Sequence, residues 1–428
     1  MRLGGRLAAA IEVLEDMERR RRPAADALKD WGLSHRFAGS ADRSAIGNIV
    51  YDALRRKRSA GWITGQDTPR GQAFGAVLLE WGQTPDALNA ALQGDKFAPP
   101  ALDERELTTI AQRNLDSAPD AVRADCPDWC VPLLGAAYGA DWVEEAAAMA
   151  TRPPLDLRVN TLLSTRDKVL AELADLHATP AALAPHGIRI PPIDGSGRHP
   201  NVQAEPAFQK GWFEVQDEGS QIVAHLAGAK PGMRVLDFCA GAGGKTLELA
   251  AAMENAGQIF AHDADKARLA PIFDRLRRAE AKNVEVVAKR AELEPLVGSM
   301  GLVLVDAPCT GSGTWRRRPD AKWRLSAKQL AARQAEQAAI LDDASRFVKP
   351  DGRLVYVTCS VFGDENEGQI DGFCSRNSDF KVVEPATVWS SAFEAPAAAV
   401  RLDRNGISLS PARTGTDGFF SAVLARNP

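Results

Sequence analysis

Two cysteines in this sequence each end a short apolar run and precede a polar turn. Residues 354–367 read LVYVTCSVFGDENE and residues 302–313 read LVLVDAPCTGSG, which places Cys359 and Cys309 at matching points of two similar stretches. A thiol in that position is either core filling at a strand end or, as the thiolate, a nucleophile. Asp306 stands three residues before Cys309 and is followed by Pro308, which stiffens the loop. Burial at a strand end would raise its pKa and suit it to an acid role. A third stretch, VLDFCAGAGGKTLELA at residues 235–250, has the strand, Gly-rich turn and helix order of a nucleotide-like site.

That Gly-rich turn is one feature short of a phosphate cradle. The pattern GxxxxGK[ST] requires glycine at position 239, where the chain has Cys239. The alternative is an adenosine-bearing cofactor such as S-adenosylmethionine. Gly241, Gly243 and Gly244 let backbone approach the ligand, Asp237 orders the loop, and Asp263 can take both ribose hydroxyls. Asp263 also fits a helix N-cap, and Lys245 fits either a salt bridge to the methionine carboxylate or a surface cap. On the residues alone the loop does not choose between cofactors.

The elements that must position these groups alternate from Met233 onward. MRVLDF, QIFAHD, VEVVA, LVLVD and RLVYVT read as buried parallel strands, with helical patterns such as DKARLAPIFDRLRRAEA and SAKQLAARQAEQAAILDDASRFV between them. GTDGFFSAVLAR reads as a last strand. Such a doubly wound α/β domain binds ligands beyond the carboxyl ends of its strands. Asp237, Asp263, Asp306 and Cys359 all fall at or just past such ends. Residues 1–145 read almost wholly helical, broken by loops such as GQDTPRG and GDKFAPP. Between them, residues 146–230 read as a small α+β module, with LDLRVNTLL as a strand and STRDKVLAELADL as a capped helix.

Composition excludes several classes. No apolar stretch approaches the length of a membrane span, and the N-terminal segment is interrupted by Glu12, Glu15 and Asp16 at helical spacing, unlike a signal peptide. The expected compartment is the cytoplasm, where the six scattered cysteines stay free thiols. CPDWC has no second pair at metal-ligand spacing, so no metal is expected. The net charge of −4 does not advertise nucleic acid, but basic clusters occur at residues 19–22, 55–58, 275–278 and 316–324. They form a phosphate track only if several share one face.

DFCAGAGGKT, DAPCTGSGTWRRRPDAKW, YVTCSVFGDENE and GTDGFF resemble successive motifs of the RNA cytosine-C5 methyltransferases, bacterial Sun/Fmu-type 16S rRNA enzymes and their eukaryotic relatives. LRVNTL and GWFEVQDEGSQ are similar to motifs upstream of the cofactor loop in that family. PDW at residues 127–129 and SADRSAIGNIVYDALRR fit the Sun/Fmu branch, which carries a NusB-like RNA-binding domain. The resemblance implies a Rossmann-like class I methyltransferase domain, with a mostly parallel seven-stranded sheet, over 231–428. Before it would lie a ferredoxin-like or RRM-like module at 146–230 and an all-α NusB-like domain at 1–145. It also implies S-adenosylmethionine held by Cys239, Ala240, Gly241, Ala242, Gly243, Gly244, Lys245, Asp263 and Asp306. RNA, rRNA first and tRNA second, would be held by Arg158, Asn160, Arg316, Arg317, Arg318, Lys322 and Trp323, with the protein acting as a monomer. A noncatalytic assembly factor on the same fold is the rival from another class.

Cytosine C5 is a poor nucleophile until a thiolate adds to C6. Sequence physics barely separates Cys359 from Cys309. A helix beginning after Gly363 would favour the Cys359 thiolate, while Asp364, Glu365 and Glu367 oppose it. In the family the attacking thiol is that of Thr-Cys, which implies Cys359. The Pro-Cys thiol, here Cys309, would assist proton removal or release, and Asp306 would contact the base. Two departures stand out. Gly241-Ala242 replaces the usual Ala-Pro, and Lys289 and Arg290 occupy the place of an adenine-binding acid.

Overall fold

The computed structural model describes all 428 residues, Met1–Pro428. The chain forms two compact units, one of residues 1–153 with 192–199 and 314–325, the other of 154–191, 200–313 and 326–428.

The first unit is helical. Its long helices are Leu3–Arg20, Ala24–Ser34, Ser40–Arg55 and Pro69–Glu80, and their apolar stripes bring Leu7, Val13, Ile46, Ile49 and Phe74 into one buried cluster. Caps set the helix starts. The GQDTPRG stretch is only half loop, because the Thr68 hydroxyl accepts from Gly71 N and Pro69 opens a helix. Asp103 and Glu106 form a reciprocal capping box on Glu104–Gln112. The segment 314–325 belongs here, although it lies next to Cys309 in sequence. Helix Ser40–Arg55 ends with orphan carbonyls, and this segment satisfies two of them. Trp323 Nε1 donates to Leu54 O at 2.7 Å, and Lys322 Nζ donates to Arg55 O at 3.4 Å.

The second unit begins with a four-stranded antiparallel sheet of β1 (Leu155–Val159), β2 (Thr179–Pro180), β3 (Gly187–Ile190) and β4 (Phe213–Val215), in the order β2-β3-β1-β4. The large sheet follows. Its parallel part is β5 (Arg234–Asp237), β6 (Gln258–His262), β7 (Val284–Val287), β8 (Met300–Asp306) and β9 (Val348–Thr358). These stand in the order β7-β6-β5-β8-β9. Leu236, Val303, Leu304, Val355 and Tyr356 are fully buried, as expected of strands covered on both faces. Burying each large apolar side chain contributes about 1.5–3 kcal/mol.

An antiparallel part completes the sheet with β10 (Phe380–Val382), β11 (Arg401–Leu402), β12 (Ile407–Leu409) and β13 (Phe419–Arg426). The sheet therefore has nine strands rather than the seven expected. The eight residues of β13 are long enough to serve two short partners on one edge. Residues 419–421 pair with β12 and residues 424–426 pair with β10. Pro271 splits the expected helix after β6 into Lys266–Leu269 and Ile272–Ala279. No helix is long and apolar enough to cross a membrane.

Candidate active site

The switch from β6-β5 to β8-β9 puts four chemical groups together at the carboxyl ends of interior strands of the large sheet. Asp237 is the last residue of β5 and Asp306 the last of β8, while Asp263 and Cys359 immediately follow β6 and β9. Strands β8 and β9 are parallel neighbours with Asp306 opposite Val357, so the loops that leave them run side by side. The result is direct contact between the two thiols, with Cys309 Sγ 3.4 Å from Cys359 Sγ. Cys309 is pushed well above its ordinary value, first by the hydrogen bond with Cys359, then by burial, by the Cys359 charge and by Glu365. Either sulfur can be the donor in this contact.

Next to the thiols, Lys245 Nζ lies 2.7 Å from Asp306 Oδ2. Burial works against the Lys245 charge, but Asp306 and the neighbouring Cys359 and Asp237 outweigh it and leave its pKa raised. In sequence Lys245 fits a cofactor contact or a surface cap; in the structure it is buried and paired with Asp306, the residue expected to face the base. The same ammonium lies 5.5 Å from the centre of the Phe419 ring, in the GTDGFF stretch. That stretch is held tightly to the Cys309 loop. Gly418 N donates to Gly313 O at 2.8 Å, and a Cβ at Gly313 would lie 2.1 Å from Gly418 O, so no side chain fits between them.

The Gly-rich loop is built from within and from its flanks. Ala240 N donates to His262 O at 2.7 Å, and Gly241 N donates to Asp263 Oδ2 at 2.9 Å. Gly243 has φ 82°, and a Cβ there would meet Ile272 at 2.5 Å, so both backbone and packing require glycine. Ala242 O accepts from Arg275, which substitutes for the rigidity of the missing proline. Cys239 packs against the core beneath the loop. Asp237 is fully buried and pushed up to about 7 by burial, partly offset by the Thr246 hydroxyl; its Oδ1 has no partner. Asp263 accepts from Gly241 N and Asp265 N, yet a carboxylate has about four lone-pair sites and keeps acceptor capacity for two hydroxyls.

Several residues expected at RNA lie elsewhere. Arg158 is buried and donates to Gln216, to Gly244 O at 2.7 Å and to Glu248, so it braces the start of the helix after the Gly-rich loop. Asn160 is buried and donates to Gly211 O and Ala279 O. Lys322 and Arg316 are buried, and Trp323 is half-buried on Leu54 O. Arg317 is half-buried and Arg318 exposed. The correction has one cause: RRRPDAKW reads as surface in sequence, but packing with the helical unit takes Arg316 and Lys322 out of water. The RRKR cluster is likewise consumed, with Arg56, Lys57 and Arg58 paired to Glu80, Glu18 and Asp128. Lys289 and Arg290 turn to Glu292 and Asp343.

The sequence presents Glu365 only as an acid opposing the Cys359 thiolate and Asn366 only as part of a helix start. Helix Glu367–Arg376 begins later than expected, after a short turn at Gly363–Glu365. Both side chains point back at the thiol loops instead. The signal available was their position, six and seven residues after a strand-end cysteine. No His, Cys, Asp and Glu side chains cluster as a metal site.

The chain as a whole is similar to known proteins. Residues 224–425 match the family described as 16S rRNA methyltransferase RsmB/F, and residues 126–192 match its ferredoxin-like domain. The chain is 34% identical over 307 residues to a probable ribosomal RNA small subunit methyltransferase B of Synechocystis sp., covering 70% of this chain and 66% of that one. It thus spans just under two thirds of that relative's length. It is 32% identical to the ribosomal RNA small subunit methyltransferase B of Erwinia tasmaniensis, over 82% of this chain and 76% of the relative. The solved structure of PH0851 superposes with a TM-score of 0.72 at 26% identity, covering 99% of this chain and all of that one. The fold is that of class I S-adenosylmethionine-dependent methyltransferases, and the chain belongs to the RsmB/F family of 16S rRNA methyltransferases.

Proposed function

We propose that the protein methylates C5 of a cytosine in 16S rRNA, using S-adenosylmethionine, through a covalent bond between Cys359 and C6 of the base. The observation that carries this reading is the thiol pair, 3.4 Å apart, beside the Lys245–Asp306 ion pair at the carboxyl ends of β8 and β9. A binding module on this fold needs neither contact.

The donor set fits the cofactor. Asp263 would hold the ribose hydroxyls, and the 239–245 loop would offer backbone to its amino-acid end. The unpartnered Asp237 Oδ1 beneath the loop is an acceptor free for a ligand or its water. With Lys289 and Arg290 turned to acids, adenine recognition falls to backbone. When bound, the cofactor supplies the methyl group that C5 takes.

The protein's own residues do the rest. The Cys359 thiolate adds to C6, and the displaced electron pair moves toward N3, where the Lys245–Asp306 pair can supply a hydrogen bond or proton. The N4 amine donates to Asp306. C5, now an enamine carbon, becomes nucleophilic. Once bonded to carbon, Cys359 no longer carries the charge that helps hold Cys309 protonated. Cys309 can then lose its proton to solvent and accept the one on C5. The returning electrons expel Cys359 and restore the ring. The target base must first leave its stack.

The test is incubation with labelled S-adenosylmethionine and total RNA, followed by bisulfite mapping of 5-methylcytidine. A single modified 16S position is expected; methyl transfer to no RNA would sink the reading, and transfer to tRNA alone would move the substrate. Cys309→Ser is expected to accumulate a denaturation-resistant RNA–protein adduct that Cys359→Ser cannot form. The reverse pattern would exchange the two thiol roles.

A further inference from the structure

We infer that Glu365 is the positioning residue that divides the labour between the two thiols, by tying the loop of Cys309 to the loop of Cys359. The inference rests on the covalent reading above for its meaning, but its geometry stands independently.

Glu365 is completely buried. A buried carboxylate persists only when its oxygens are satisfied, and here the donors come from three elements. Thr310 N donates to Oε1 at 2.8 Å and the Thr310 hydroxyl donates to Oε2. The Ser360 hydroxyl also donates to Oε2. From helix Ala327–Ser345, Gln337 Nε2 donates to Oε1 at 3.0 Å and to Pro308 O at 2.9 Å. Thr310 is the residue after Cys309, and Ser360 is the residue after Cys359. One carboxylate therefore fixes the backbone immediately beyond each sulfur, and Gln337 fixes the carbonyl immediately before Cys309.

Asn366 completes the hold on Cys359. Its Oδ1 accepts from the Thr358 hydroxyl and its Nδ2 donates to Ser360 O at 2.9 Å, so the residues on both sides of Cys359 are bound. Ser312 closes the other loop, with its hydroxyl 3.0 Å from that of Ser360 and accepting from Val361 N. The sulfur–sulfur contact is thus a product of this network.

The network is also asymmetric in charge. Glu365 and the buried Tyr356 face Cys309, whereas the Lys245 ammonium faces Cys359, with Asp306 behind it. A negative group on one side and a cation on the other push the shared proton toward Cys309 and leave Cys359 the nucleophile. A carboxylate with a merely structural role would hold the loops without biasing either thiol.

The experiment reads the thiols directly in the free, full-length protein. Iodoacetamide alkylation of Cys359 and Cys309 is followed against pH by peptide mass mapping, in wild type and in Glu365→Gln. In wild type, Cys359 is expected to react at least about tenfold faster than Cys309 near pH 8. In Glu365→Gln that ratio should fall by about fivefold or more, with the Cys309 profile moving to lower pH. A ratio unchanged within about twofold in a variant with native circular dichroism, or faster reaction of Cys309 in wild type, would overturn the inference. Should Glu365→Gln not fold, Thr310→Val removes one hydroxyl donor; the ratio should fall by about threefold, and no change would overturn the inference equally. No RNA or cofactor enters the assay, so failure of the methylation reading and failure of this one give different results.

Discussion

Two regions of this molecule gather the same ingredients. At the carboxyl ends of the central strands of the large sheet lie Lys245, Asp306, Cys309 and Cys359; inside the helical unit lie Lys322, Asp125, Cys126 and Cys130. In the first, lysine and aspartate touch at 2.7 Å and the aspartate is one-third exposed. In the second, everything is buried and the lysine has no carboxylate of its own. The Asp125 oxygens are taken by Arg58 N, Ser59 N and the Ser59 hydroxyl. Burial pushes Cys126 up to about 11 and Cys130 up to about 12, and pulls Lys322 down to about 8. The lesson is that residue types propose chemistry while pairing and access decide it. A lysine matched to an acid keeps its proton beside a solvent-reachable thiol, whereas a lysine denied one is a cost borne by the fold.

Four predictions probe this contrast, in descending order of expected effect. Cys359→Ser should lower methyl transfer by about 10⁴-fold or more, as loss of a covalent nucleophile does. Cys130→Ser should leave the rate within about twofold. Comparable losses from both, measured as single-turnover rates, would erase the distinction. Lys245→Met should cost about 10²-fold or more, by removing the cation that pairs Asp306 beside the thiols. A rate near wild type would show that the pair is structural only. Asp263→Asn should weaken S-adenosylmethionine by about 10–100-fold, at 1.5–3 kcal/mol for a charged hydrogen bond, measured by calorimetry. Unchanged binding would return Asp263 to a role as a loop cap.

The fourth concerns stability. The folded pKa of Lys322, about 8, lies below its ordinary value of 10.5, so the unfolded chain binds that proton more tightly. Stability should therefore be lowest below about pH 8 and rise as pH climbs toward 10.5. Relative to Lys322→Met, whose difference cancels other groups, wild type should gain about 3 kcal/mol over that window. Urea midpoints read by tryptophan fluorescence would report it, since Trp315 and Trp323 flank the ammonium. A difference that is flat with pH would mean the lysine is paired after all.

How much of this was legible in the sequence depends on range. The strand-end positions of Asp237, Asp263, Asp306 and Cys359 could be read because each follows its own apolar run, a local pattern. The contact between Cys309 and Cys359 was readable only as a suspicion, since it needs β8 and β9 to be neighbours. Lys322 and Arg316 were misread because their burial depends on Leu54, Arg55 and Asp125, roughly two to three hundred residues earlier, and no local pattern encodes that. Arg158 failed for the same reason: its partners, Gln216, Gly244 and Glu248, lie about sixty to ninety residues later. Glu365 was visible as an acid but not as an acceptor, because its donors come from three separate stretches.

The excursion of residues 314–325 into the helical unit makes the protein hard to cut. The backbone leaves the sheet-bearing unit at Gly313 and rejoins it at Ser326, and another excursion occupies 192–199. Deleting residues 1–153 would strand Trp315 and Lys322 in water and unfasten the stretch that continues directly from the Cys309 loop. Severing the helices in the hope of a smaller protein would therefore slacken the Cys309 loop through its own covalent tether. A shorter version would need that twelve-residue arm redesigned as well as the N-terminal residues removed.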